Sequence, residues 1–345
     1  MNGKRTMHGI RKGSFVATLL TLGCLTLGAQ QHTIKFATVA PEGTSWMTVM
    51  REYEASIRKE TGGRVAFRIY SGAVQGDERV VLRKIRAGQL HAGGFTGVAI
   101  GEIASKVRLL DSPFLFRSYE EVDYVYEKFD EEFRQAFLDG GYVLLGWAEV
   151  GFVYVFTNSP VARPEDLKSL KMWAWEGDPI AEALFREFGI HPIPLAMPDV
   201  MTSLQTRLID AFYAPPYAAL MLQWYTRAKF LVDVRLSDAA GAVLIARRVF
   251  EELPKDVQFI LLEQGKKHFR RLTQISREQN ADAIHEMTKR GLTLIKPNQE
   301  DYRYYIDVSS TVRRNLAGKV YPEDFLRRVE SALEEFRRNN RKPSP

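Results

Sequence analysis

Between Pro254 and Gly291 the chain carries one unbroken helical pattern, over 255–290. At 1.5 Å per residue such a helix reaches about 50 Å, longer than one small domain needs. More than one body is therefore expected. The length, 345 residues, independently suggests two domains, each large enough for its own core.

The sequence before that helix alternates short apolar strands with amphipathic helices. Strands are predicted over 34–39 and 65–70 and around the Gly-rich stretch 93–96, with helices over 45–61 and 77–87. One helix is predicted over 119–140, then a second αβ series from Tyr142 to about Val234, and two more helices over 299–315 and 322–339. This order argues for an α/β architecture with mainly parallel strands. Ligands of such folds sit in the crevice at the carboxyl ends of the strands.

Charge narrows the function classes. Of the formal net charge of +6, four positive charges (Lys4, Arg5, Arg11 and Lys12) lie in residues 1–32, which hold no acid, so the remainder carries +2. That balance, without a basic stripe, speaks against nucleic acid as a partner. The basic residues followed by an apolar run over 15–27 and by Gly28-Ala29 read as a secretory signal, residues 1–29, and hence a periplasmic protein. The sole cysteine, Cys24, lies in that signal, and lipid anchoring there is the weaker alternative.

The usual catalytic patterns are missing. His91, His191, His268 and His285 are scattered, and His285-Glu286-Met287-Thr288-Lys289 fails the zinc pattern at its last position. Gly93, Gly94, Gly97 and Gly101 have the spacing of neither a dinucleotide fingerprint nor a phosphate loop. No Gly-x-Ser-x-Gly elbow and no singled-out acid–base pair occurs. A non-enzymatic protein without cofactor or metal is expected.

An ordered set of segments carries a family resemblance. It begins with Ile34-Lys35-Phe36-Ala37-Thr38-Val39-Ala40-Pro41-Glu42-Gly43, Thr61-Gly62-Gly63-Arg64-Val65 and Gly76-Asp77-Glu78-Arg79. It continues with Leu110-Asp111-Ser112-Pro113-Phe114-Leu115-Phe116 and the strand ending at Asn158. Glu165-Asp166-Leu167-Lys168-Ser169-Leu170-Lys171-Met172-Trp173 and Leu204-Gln205-Thr206-Arg207-Leu208-Ile209-Asp210 complete it. Together these resemble the dicarboxylate-receptor-like solute receptors of TRAP (tripartite ATP-independent periplasmic) transporters. The resemblance implies a two-lobed periplasmic solute-binding fold, braced by the long helix. Lobe I would hold 30–151 plus about 240–280, and lobe II 152–239 plus about 281–345. The implied partners are a small-molecule ligand and the TRAP permease membrane subunits.

The departures from the family pattern shape the site. Trp173 stands where the family's ligand-clamping arginine is expected, and a second arginine falls at Val153 or Tyr154. A polar trio falls on Phe212, Tyr213 and Ala214. A buried carboxylate without a guanidinium partner is strongly disfavoured. Trp173 and Trp175, two apart on a strand, share a face. Ligand-binding candidates are Trp173, Tyr213, Phe212, Tyr154, Trp175, Glu78, Phe95, Met197 and Tyr217; Glu78 could instead be an opening charge favoured by a helix dipole, and each of the others could instead pack a core. A hydrophobic or amphipathic ligand is expected. Burying about 250–300 Å² of apolar surface would supply roughly 6–7 kcal/mol before binding entropy. One alternative is an organic acid whose anion partner has moved to Arg79, Arg83 or Arg207. Another is an aromatic surface that docks a periplasmic tetratricopeptide-repeat protein.

Overall fold

A computed structural model describes residues 32–161 and 163–340. The secretory signal and Cys24 lie outside the described residues. The first half runs β1 (His32–Ala37), α1 (Ser45–Glu60), β2 (Val65–Tyr70), α2 (Glu78–Arg86), β3 (Ala92–Thr96), α3 (Gly97–Ile103), α4 (Tyr119–Lys128), α5 (Asp130–Asp139) and β4 (Tyr142–Trp147). Then come β5 (Gly151–Thr157), β6 (Trp173–Trp175), α6 (Pro179–Glu187), β7 (Ile193–Leu195), α7 (Val200–Gln205), β8 (Ala211–Ala214) and α8 (Pro216–Met221). The chain closes with β9 (Phe230–Ala239), β10 (Gly241–Ala246), α9 (Arg247–Glu251), α10 (Lys255–Lys289), β11 (Thr293–Ile295), α11 (Gln299–Leu316) and α12 (Glu323–Asn339).

Local chemistry sets many of these ends. Thr44 caps α1 by accepting the Met47 N–H at 3.3 Å, and Gly62 and Gly63 follow its end with φ of 60° and 81°. The helix expected over 119–140 divides at Phe129, where φ and ψ are −114° and 16°. Lys128 closes the first half, while Asp130, Glu131 and Glu132 open the second, each charge favoured by the helix dipole there.

Two main sheets result, ordered β2-β1-β3-β10-β4 and β11-β9-β5-β8, and β6 pairs separately with β7. β1 runs parallel to β2 and β3, but β10 is antiparallel to β3 and β4. In the second sheet β5 is antiparallel to both β8 and β9. Mainly parallel strands were expected, so both sheets are more mixed than the sequence suggested. Connectivity is the cause: β4 passes to β5 through three residues, and β9 to β10 through Ala240 alone, so the chain changes sheets without a crossover helix.

The long helix spans both sheets' territory, packing on α1 and β4 and also on α8 and β5. In its first third, Gly265 allows close approach: a Cβ there would lie 2.1 Å from the Leu145 carbonyl oxygen. Phe36, Tyr53, Ile57, Leu261 and Phe269 fill one core between this helix, α1 and the first sheet, each such side chain contributing about 1.5–3 kcal/mol. Of the segments expected in lobe II after residue 281, α11 packs on α6, but α12 does not follow it. The Phe325 ring of α12 meets Phe129 and Phe133 at 5.3 and 5.6 Å, and Arg337 bonds Glu121, so α12 covers α4 and α5 beside the first sheet.

Candidate functional site

A cavity of about 230 Å³ lies at the carboxyl ends of β1, β3, β6 and β8, bordered by Thr38, Phe95, Trp175 and Ala214 among others. Rings such as Trp46, Trp173, Phe185, Tyr213 and Trp224, together with aliphatic side chains such as Val39, Ile180, Leu184 and Leu236, make up much of the rest of its wall. Its charged wall residues, among those described, are Glu78, Arg108, Asp111 and Asp178. Arg108 is the cation that sequence reasoning missed.

Arg108 lies in the short turn Val107–Asp111 that follows α3, and is 4% exposed. Room for it comes from two glycines on one face of α3. A Cβ at Gly97 would stand 2.1 Å from Arg108 Nη1 and 2.2 Å from Asp111 Oδ2, and one at Gly101 would stand 2.8 Å from Arg108 Cδ. Arg108 Nη1 pairs with Asp111 Oδ2 at 2.6 Å, and Nη2 donates to Asp178 Oδ1. Its Nε finds no partner among the described residues. Burial opposes the guanidinium's charge, but the two aspartates outweigh it and keep Arg108 firmly protonated. Burial pushes the Asp111 carboxyl up to about 6, with Arg108 and the Ala240 N–H pulling the other way.

Asp178 reaches Arg108 from the opposite wall. It caps α6, with Oδ1 accepting the N–H groups of Ile180 and Ala181 at 3.0 and 3.1 Å. The Tyr213 hydroxyl donates to its Oδ2 at 3.2 Å and itself accepts the Trp175 N–H at 3.2 Å. A second set of bonds spans the same gap. Asp77, the cap of α2, accepts the Trp175 indole N–H at 2.9 Å and the Met197 N–H at 3.3 Å.

Glu78 opens α2 and is 1% exposed. Its carboxyl accepts the Thr96 N–H at 3.0 Å and the Thr96 hydroxyl at 3.1 Å. Burial pushes it up to about 8, the Thr96 bonds lower it, and Asp77 and Asp111 raise it further. A proton held there makes Glu78 a donor as well as an acceptor at the cavity wall.

The nine candidate residues separate by position. Glu78, Phe95, Trp173, Trp175, Met197, Tyr213 and Tyr217 border the cavity. Trp173 does so while only 2% exposed: it stacks on Tyr213 at 5.1 Å and donates its indole N–H to the Leu195 carbonyl at 3.0 Å. It is chiefly a packed wall. Tyr217 bridges, its hydroxyl accepting the Ser45 N–H at 3.3 Å and its N–H reaching Asn280 Oδ1 at 2.9 Å. Phe212 and Tyr154 stand elsewhere. Strand alternation turns Phe212 away from its neighbour Tyr213 and into a stack with Phe156 at 4.8 Å, and turns Tyr154 away from the wall residue Val153. These rings are buried or face the cavity.

Arg79, Arg83 and Arg207, the expected substitutes for an anion clamp, border no part of the cavity. Arg79 pairs with Glu102 at 2.5 Å, and Arg207 sits in a left-handed turn with φ of 59°.

Residues 36–318 match the model of the bacterial extracellular solute-binding proteins, family 7 (DctP). The chain belongs to this family, the solute receptors of TRAP transporters. Its members are binding proteins that serve the transporter's membrane subunits, and the chain is not an enzyme. The 2,3-diketo-L-gulonate-binding periplasmic protein YiaO of Escherichia coli (strain K12) is 24% identical over 329 residues, covering 94% of this chain and 98% of that protein. A TRAP solute binding protein of Haemophilus influenzae RdAW, solved with L-gulonate, superposes with a TM-score of 0.81 at 18% identity, covering 88% of this chain and 99% of the other. One from Pseudomonas putida F1, with D-glucuronate, gives 0.80 at 19% identity, covering 87% and 97%. Among the described residues no helix is long and apolar enough to cross a membrane.

Proposed function

We propose that this TRAP receptor takes a small organic acid with an apolar body, holding the body among rings and the acid group on Arg108. The observation that carries this reading is that, among the described residues, one guanidinium stands in the wall of a cavity otherwise built largely of aromatic and aliphatic side chains. The acids bound by relatives support the same head group. The ring-rich wall supports an apolar body rather than a polyhydroxylated one. We place 32–151 with about 240–280 and α12 in the first lobe, and 152–239 with α11 in the second; sheet membership supports this division. The ligand then touches both lobes and favours the closed arrangement.

A second reading, a neutral apolar ligand, draws on one specific observation. Arg108 already carries two aspartates, and a third carboxylate beside Asp111 and Asp178 would meet like charge. Titration calorimetry with benzoate and its neutral isostere benzamide separates the readings. The acid reading expects benzoate to bind more tightly than benzamide, and Arg108→Gln to weaken benzoate by about tenfold or more, the loss of a charge-assisted bond. Equal binding of the two probes, unchanged by Arg108→Gln, would sink the acid reading and leave the neutral one.

A further inference from the structure

The pair between Arg108 and Asp178 joins chain segments on opposite sides of the cavity. Arg108 follows α3, whose strand β3 belongs to the first sheet, while Asp178 follows β6 and caps α6. Both side chains are buried, 4% and 6% exposed, and both border the cavity. A carboxylate is therefore seated on the same guanidinium that the proposed function gives to a ligand's acid group. It is the protein's own.

Asp178 does not depend on Arg108 for its position. Its Oδ1 is fixed by the two α6 amides and its Oδ2 by Tyr213, so the cap survives if the ion pair opens. Arg108, in contrast, would keep only Asp111. A ligand carboxylate can thus exchange with Asp178 on Nη2 while the wall around it stays folded.

Resting on the cavity being the ligand site, we propose that Asp178 is a specificity-determining residue: an internal carboxylate that competes with a ligand's acid group for Arg108. Acids with little apolar body fail to displace it. Acids that bury enough ring or chain against the aromatic wall succeed. The receptor's preference is set by this competition as much as by the shape of the cavity.

Asp178→Asn tests this, because asparagine caps a helix as well as aspartate does while surrendering the charge. Asp178→Ser, another good cap, guards against a folding defect peculiar to one variant. Calorimetry with benzoate, acetate and benzamide is the readout, with circular dichroism and melting curves to confirm the native fold. Freed of its competitor, Arg108 is expected to bind benzoate about tenfold or more tightly and to give acetate measurable affinity. Benzamide affinity should move by no more than about twofold, since it lacks the charge. In the double variant Asp178→Asn with Arg108→Gln the gain should vanish. Folded Asp178→Asn and Asp178→Ser proteins that bind benzoate no better than wild type would overturn the proposal. That outcome is separate from failure of the acid reading, which is decided on the wild-type protein and Arg108→Gln.

Discussion

Glu78 shows how one buried carboxyl couples this receptor to pH. In the unfolded chain it titrates near 4.5, and in the folded protein at about 8. Between those values the folded form keeps a proton that the unfolded form releases, so its stabilising contribution is full at acid pH and is lost as pH rises through about 8. Melting temperatures measured from about pH 5 to pH 8 should fall less steeply in Glu78→Gln than in wild type. An unchanged slope would mean that Glu78 sheds its proton in the fold. The same residue was visible in the sequence as the opening charge of a helix. Arg108 was not, because its meaning depends on Asp178, distant in sequence, and no local pattern joins them. One signal was available: Gly97 and Gly101, four apart on one helical face, mark a trough for a bulky neighbour rather than a failed phosphate loop.

At the level of elements, periodicity and caps gave most helices and strands correctly, since each is set by residues within it. The Lys128–Asp130 change of charge sign, which divides α4 from α5, could have been read and was not. Which residues of a strand face the ligand was harder. Phe212 and Tyr213 are neighbours of similar chemistry, and only the pairing of β8 with β5 decides that the second faces the cavity. The long helix offers a test with opposed signs. Replacing Gly265 by alanine within α10 should stabilise by about 1 kcal/mol on helix propensity alone. The Leu145 carbonyl oxygen, 2.1 Å from the new Cβ, belongs to a buried strand that cannot withdraw. Gly265→Ala is therefore expected to destabilise by about 1–3 kcal/mol in urea unfolding. Net stabilisation would show that α10 rests loosely on β4.

For the whole molecule, the order of strands, helices and family segments along the chain was enough to give a two-lobed receptor with a bracing helix. The chemistry of the ligand was not legible in the same way. Aromatic residues at Trp173 and Tyr213 suggested a hydrophobic or amphipathic ligand, yet the folded chain brings a guanidinium and three carboxyls to that wall from three separate segments. Covering the ring-lined wall with an apolar body and meeting Arg108 with an acid are compatible demands on one small molecule. A crystal structure with 4-bromobenzoate, its bromine located by anomalous scattering, tests this account most directly. We expect the carboxylate within hydrogen-bonding distance of the Arg108 guanidinium, the Asp178 carboxylate released from Nη2, and the bromine against the aromatic wall. A bound ligand whose carboxylate points away from Arg108, with the Arg108–Asp178 pair intact, would contradict it.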